Sequence, residues 1–167
     1  LTSAGSNGRG ALLFYLATYA VTNLGAFGIV TLLEAPDRPN DRISDYAGLW
    51  YTRPGLALLM TCFLLSLGGF PPFGGFIAKW YVFTSALDAG NTWLAIIGVL
   101  TSVVSVFFYL RVVVMMFMTP QTGRNDIPPV PIAAGAALIA SAAMVLYLGI
   151  LPAHVLDWAA SSVAMLF

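Results

Sequence analysis

Residues 65–83 read LSLGGFPPFGGFIAKWYVF, and two features of this stretch set the architecture of the chain. Six of the eight residues from Gly68 to Gly75 are glycine or proline, and a lysine, Lys79, follows one turn later in an otherwise apolar run. Pro71 and Pro72 have no backbone N–H to give a helix ladder. Gly68, Gly69, Gly74 and Gly75 lack the Cβ that biases a chain toward helical angles. The apolar segment 55–87 is therefore predicted to be one membrane crossing made of two half-helices. In hydrocarbon, each backbone group freed by such a break costs several kcal/mol unless protein or water receives it. A break at membrane depth thus implies a buried or hydrated cavity.

Three further runs flank this one. A bilayer core of about 30 Å asks for about 20 apolar residues at 1.5 Å rise each. Residues 10–33 carry no charge between Arg9 and Glu34, residues 92–118 carry only Arg111 near their end, and residues 130–151 carry none. The expected fold is an all-α membrane protein, a bundle of about four transmembrane helices with one discontinuous at Gly68 to Gly75, forming a single membrane region over 1–167. The loop 34–54 is polar and proline-bearing. Ile43, Tyr46, Leu49 and Trp50 recur in it at helical spacing, which predicts a short amphipathic helix on the membrane interface, anchored by Trp50 and Tyr51. The opening LTSAGSNGRG has no basic segment followed by an apolar core and cleavage site, so it reads as a loop entering the first helix. The chain is expected to be a piece of a longer one.

Composition agrees. Of 167 residues, 59% are hydrophobic and 8% charged, with seven basic side chains balancing seven acidic ones, and the mean hydropathy is +0.88. Soluble domains carry roughly a quarter charged residues. A nucleic-acid binder would need a basic face, and a disordered segment would need few apolar residues. One cysteine, Cys62, excludes an internal disulfide and a cysteine-clustered metal site, so no metal ligand set is expected. Basic residues fix the orientation: Arg38, Arg42, Arg53, Arg111 and Arg124 fall at one end of the spans and Arg9 at the other. The first end is expected to be cytoplasmic, leaving the N- and C-terminal ends, the Asp88 turn, His154 and Asp157 on the outer side of a bacterial plasma membrane.

Lys79 is the candidate for chemistry, as the one ionisable side chain well inside a span. An ammonium there costs roughly 2.5–3.5 kcal/mol even on the gentler insertion scales, and intramembrane charges mark ion pathways. An amine that exchanges its proton with cavity water is what a proton relay requires. The alternatives are that Lys79 snorkels to the interface, or pairs with a carboxylate from outside these spans. Hydroxyls and amides could wire a relay: Tyr15, Tyr19 and Thr22 share a face of the first span with Thr18 and Asn23 beside them, Ser66 precedes the break, and Ser102, Ser105 and Tyr109 share a face of a later span. The candidate path is Tyr19, Thr22, Asn23, Ser66 and Ser105. Ordinary interhelical hydrogen bonds, helped by close packing at Gly25 and Gly28, are the other reading. Arg111 is expected to anchor at the headgroups, His154 to lie in a surface loop, and Met115, Met116 and Met118 to face lipid.

The stretch 65–83 resembles the lysine-bearing broken helix of the antiporter-like, proton-pumping subunits of respiratory complex I, the NADH:quinone oxidoreductase. YLATYAVTNLGAFGIVTLL at 15–33 and FFYLRVVVMMF at 107–117 resemble the neighbouring helices of the bacterial N-type subunit. The resemblance covers about residues 9 to 151 and implies the C-terminal part of a larger antiporter-like fold of two inverted repeats. It implies that Lys79 is the terminal lysine of a hydrophilic axis, and that the chain is a non-redox subunit of a proton-translocating enzyme. NADH, flavin, iron-sulfur clusters and quinone would then belong to other subunits, with no cofactor in this chain. Its partners would be other membrane subunits and the lipid bilayer, with no nucleic acid. A multisubunit sodium/proton antiporter sharing the fold, and a structural membrane subunit without transport, are the alternative functions.

Overall fold

The structure, a computed structural model, describes residues 6–34, 42–120, 129–156 and 158, and every regular element among them is helical. The main α-helices among the described residues are, in order, α1 (Ser6–Leu33), α2 (Leu49–Thr52), α3 (Pro54–Gly68), α4 (Gly74–Asp88), α5 (Thr92–Met118) and α6 (Ile132–Ile150), with a 3₁₀ turn at Ile43–Tyr46 before α2. Arg38, Arg124, Asp157 and the first five residues lie outside the described set. Three helices, α1, α5 and α6, are long and apolar enough to cross a membrane. α3 and α4 have 15 residues each, about 22 Å at helical rise, and neither reaches across the hydrocarbon alone.

The break is narrower than the sequence predicts. Gly68 still belongs to α3 while Gly74 and Gly75 open α4, so only 69–73 are non-helical. The half-helices do not meet end to end. The first turn of α4 lies beside the last turn of α3, close enough that a Cβ on Gly75 would collide with the Ser66 carbonyl. Pro71–Pro72 is a cis bond.

α1 is the element around which the others gather, packing on α4, α6 and α3, while α5 lies against α3 and α4. Ile29 and Leu33 of α1, Ala57 and Phe63 of α3, Met116 of α5 and Val145 of α6 are fully buried in one core. Lipid tails are as apolar as these side chains, so close packing rather than water expulsion holds the helices. Gly25 and Gly28 supply it as the sequence suggests. Gly25 leaves room for the Phe63 ring, and a Cβ on Gly28 would stand 3.3 Å from Leu138 Cδ2.

Two expectations are corrected here. The segment before α3 is not one amphipathic helix on the interface, because Gly48 takes a left-handed conformation (φ 67°) and separates the 3₁₀ turn from α2. Tyr46 and Leu49 are buried in the core. The segment folds over the C-terminal end of α5: the Gly48 N–H donates to the Met115 carbonyl at 3.2 Å, Trp50 stacks on Phe117 with ring centres 5.0 Å apart, and the Tyr51 hydroxyl donates to the Phe117 carbonyl at 3.4 Å. Met116, expected to face lipid, is fully buried, whereas Met118 is exposed. The reason is the same contact, since the folded-over segment covers one side of α5 there. Arg111 and His154 are exposed as expected, but His154 lies in a short helical stretch, residues 153–156, and not in a loop.

Candidate functional site

A helix leaves its last four carbonyls without intrahelical partners, and buried in a membrane each must find one. At the end of α3 the orphans are those of Leu65, Ser66, Leu67 and Gly68. Gly69, at φ 85°, turns the chain into the left-handed region that glycine adopts at no steric cost. The Gly69 N–H then donates to the Ser66 carbonyl at 2.9 Å and the Phe70 N–H to the Leu65 carbonyl at 3.0 Å. This is the Schellman arrangement, and it satisfies two of the four. Lys79 satisfies the other two. Its Nζ donates to the Leu67 carbonyl at 2.9 Å and to the Gly68 carbonyl at 3.2 Å.

The end of α4 provides a comparison within the molecule. Gly90 is left-handed there too, and the N–H groups of Gly90 and Asn91 donate to the Leu87 and Ala86 carbonyls at 2.9 Å each. Asp88 and Ala89, whose carbonyls remain, are exposed. The two caps are alike; one finishes in the open and the other on an ammonium. The negative end of the α3 dipole also favours a cation at that position.

Lys79 faces a cavity of about 270 Å³ lined from α1 by Tyr15, Thr18, Tyr19 and Thr22, from the half-helix junction by Ser66, Leu67, Gly75 and Ala78, and from α5 by Thr101, Ser102, Ser105 and Tyr109. Water takes about 30 Å³ per molecule in the liquid, so several fit. The α5 wall offers acceptors. Thr101 Oγ1–H donates to the Ile97 carbonyl at 3.0 Å, Ser102 Oγ–H to Gly98 at 2.9 Å and Ser105 Oγ–H to Thr101 at 2.9 Å, which leaves the oxygen lone pairs for water. A donor ammonium opposite an acceptor wall suits a file of water molecules.

Ser66, buried at the junction, joins three helices. Its Oγ accepts from the Gly75 N–H at 3.2 Å and lies 3.5 Å from Thr22 Oγ1, while Thr22 donates to the Thr18 carbonyl at 2.7 Å. Thr18 Oγ1 is buried without a hydrogen-bond partner among the described residues. Ser66→Ala strips the Gly75 N–H of its acceptor and is expected to cost about 1–3 kcal/mol, to be read as a lowered thermal inactivation temperature of the assembled membrane complex.

Of the residues proposed from sequence, Lys79, Tyr19, Thr22, Ser66 and Ser105 come together around the cavity. Asn23 does not. Its Nδ2 donates back to the Tyr19 carbonyl on its own helix at 2.8 Å, on the exposed side of α1, because the position next to Thr22 points 100° away from it. Sequence reasoning missed the partners of Lys79, the two main-chain carbonyls of α3, and it missed Thr101. The signal for the first was present in the Gly68–Gly69 pair, since a glycine-capped helix end at membrane depth leaves two carbonyls to satisfy.

Residues 1–105 match the family described as NADH:quinone oxidoreductase/Mrp antiporter, TM, well over half of the chain. The chain belongs to this family. Among members of the NADH:quinone oxidoreductase/Mrp antiporter family, NADH-quinone oxidoreductase subunit N of Trichlorobacter lovleyi is 44% identical over 164 residues, covering 98% of this chain and 34% of the relative. Subunit N of Chloroflexus aggregans is 47% identical over 117 residues, 70% of this chain and 24% of the relative. The chain spans about a third of the length of the T. lovleyi relative. Among solved structures, respiratory complex I from Thermus thermophilus with bound aureothin superposes with a TM-score of 0.79 at 34% identity, over 89% of this chain and 34% of the other. The Mrp complex from Dietzia sp. DQ12-45-1b superposes with a TM-score of 0.84 at 22% identity, over 97% and 38%, a likeness of fold alone. The all-helical membrane fold expected from the apolar runs, and the antiporter-like architecture that the resemblance implies, are those of this family.

Proposed function

We propose that this chain is the part of an N-type subunit of a bacterial NADH:quinone oxidoreductase that passes protons across the membrane, with Lys79 as the relay. The observation that carries the reading is an ammonium seated at a helix break, facing a cavity large enough for several waters and lined by hydroxyl acceptors. Redox chemistry, with its nucleotide, flavin, iron-sulfur and quinone cofactors, belongs to other subunits in this reading; the chain works among other membrane subunits of the complex. The multi-pass chain would sit in the plasma membrane with its N- and C-terminal ends on the non-cytoplasmic side.

The relay acts by exchange. Lys79 takes a proton from water on one side of the junction and returns it to the cavity file on the other. The carbonyls of Leu67 and Gly68 hold the amine at the crossing point in between. Ser66 and Thr22 connect the junction to α1.

The test is Lys79→Arg in the full-length subunit within the assembled complex. A guanidinium keeps the charge and its donors but hardly releases a proton. NADH-driven acidification of everted membrane vesicles is expected to fall at least tenfold at equal complex content. Undiminished pumping would favour the structural-subunit reading, in which only fixed charge matters. The antiporter reading draws on the fold likeness to the Mrp complex; pumping driven by NADH in sodium-free medium separates it from the one proposed.

A further inference from the structure

We infer that Gly149, in α6 and 70 residues from the lysine in sequence, is a positioning residue for Lys79, acting by seating the backbone of the break. The inference rests on the relay reading above. A Cβ at Gly149 would collide with the Pro72 carbonyl oxygen and stand 2.5 Å from the Phe73 carbonyl carbon and 2.7 Å from that of Pro72. These are main-chain atoms and cannot rotate aside. One residue further on, α6 meets the chain again: where Gly74 lacks its Cβ, Leu148 Cβ is 2.9 Å away and the Val145 carbonyl oxygen 3.1 Å, with Thr18 Cγ2 of α1 at 3.0 Å. Leu148 is fully buried and packs with Phe14 and Ala78, the neighbour of Lys79. α6 therefore touches three successive residues at close range, the last two of the break, Pro72 and Phe73, and the first of α4, Gly74.

That contact fixes where α4 begins. From Gly74 to Lys79 the chain is continuous helix, so a displacement at Phe73 carries to Lys79 as a rigid shift. Ordinary contact begins at 3.4 Å, whereas alanine would set its methyl 2.5 Å from the Phe73 carbonyl carbon and closer still to the Pro72 oxygen, so the break must retreat from α6 by at least about an ångström. The Lys79 bonds, at 2.9 and 3.2 Å, are lost beyond about 3.5 Å. Misplacement of that size costs up to ~10²-fold where a group must be held in reacting geometry; the flexible lysine stem recovers part of it.

The experiment is Gly149→Ala in the full-length subunit of the assembled complex, beside Lys79→Ala and a control on the same helix, Gly135→Ala, where the nearest atom is Val130 Cγ1 at 3.8 Å. NADH-driven proton pumping in everted vesicles and its pH profile are measured. Gly149→Ala is expected to pump at least fivefold less, with the midpoint of its profile moved by about one unit, while Gly135→Ala behaves as wild type. A lowered rate with an unmoved profile means general disturbance and overturns the inference. If Gly149→Ala fails to assemble, Leu148→Ala, which loosens the seat without adding bulk, takes its place under the same two criteria. Normal pumping in Gly149→Ala beside an inactive Lys79→Ala overturns the seat alone. Normal pumping in Lys79→Ala overturns the relay, and the role of Gly149 with it.

Discussion

Truncating Lys79 to alanine is expected to lower NADH-driven proton translocation at least tenfold while the complex still assembles. The expectation combines two losses of different size. The exchangeable proton site is removed outright, which no neighbouring side chain restores, since the cavity otherwise offers hydroxyls and phenols. The carbonyls of Leu67 and Gly68 lose their donor as well, and an unmet buried acceptor costs about 1–3 kcal/mol. The adjoining cavity tempers that second loss, because water entering the vacated space can donate to both oxygens. Assembly should therefore weaken modestly while pumping collapses. Vesicle acidification normalised to the amount of complex on a native gel separates the two effects, and full pumping in an assembled variant would remove the basis of the proposed function.

Gly75→Ala should act in the opposite proportion, abolishing most of the assembled complex. The added methyl would occupy the place of the Ser66 carbonyl, with the Ser66 carbonyl carbon at 2.7 Å and Oγ at 2.9 Å. Neither half-helix can yield by a rotamer change, so α4 must leave α3. With it go the Gly75 N–H bond to Ser66 and both bonds of Lys79. Gly55→Ala is the matched comparison, since nothing lies within 4 Å of a Cβ there and alanine in a helix stabilises by about 0.5–1 kcal/mol. The prediction is checked by the yield of complex in membranes, near wild type for Gly55→Ala and less than a tenth for Gly75→Ala. Equal yields would mean that the half-helices do not overlap as described.

Much of the architecture was legible because the membrane makes strong demands. Runs such as 92–118 declare a crossing by length and apolarity, and the glycine-proline cluster declares its interruption by what those residues lack. The cavity was legible as a necessity, since freed backbone groups need receivers, and most of its polar lining followed from helical spacing on α1 and α5. What escaped depends on contacts that no periodicity encodes. Asn23 has a polar side chain on a plausible face, yet one residue of rotation turns it outward. Met116 and Tyr46 are buried by a segment folding back over α5, and Gly48, which permits the fold-back, looks in sequence like any loop glycine. The partners of Lys79 escaped because a search for a counter-charge looks for carboxylates, and the receiving groups here belong to the main chain.

The acceptors that hold the amine are peptide oxygens, present whichever amino acids occupy positions 67 and 68. No side-chain replacement there can delete them, so an alanine scan through the end of α3 leaves the oxygens that receive the lysine in place. Genetic access to that half of the contact runs through the course of the chain itself: the left-handed turn at Gly69, and the bare surfaces against which the bend rests.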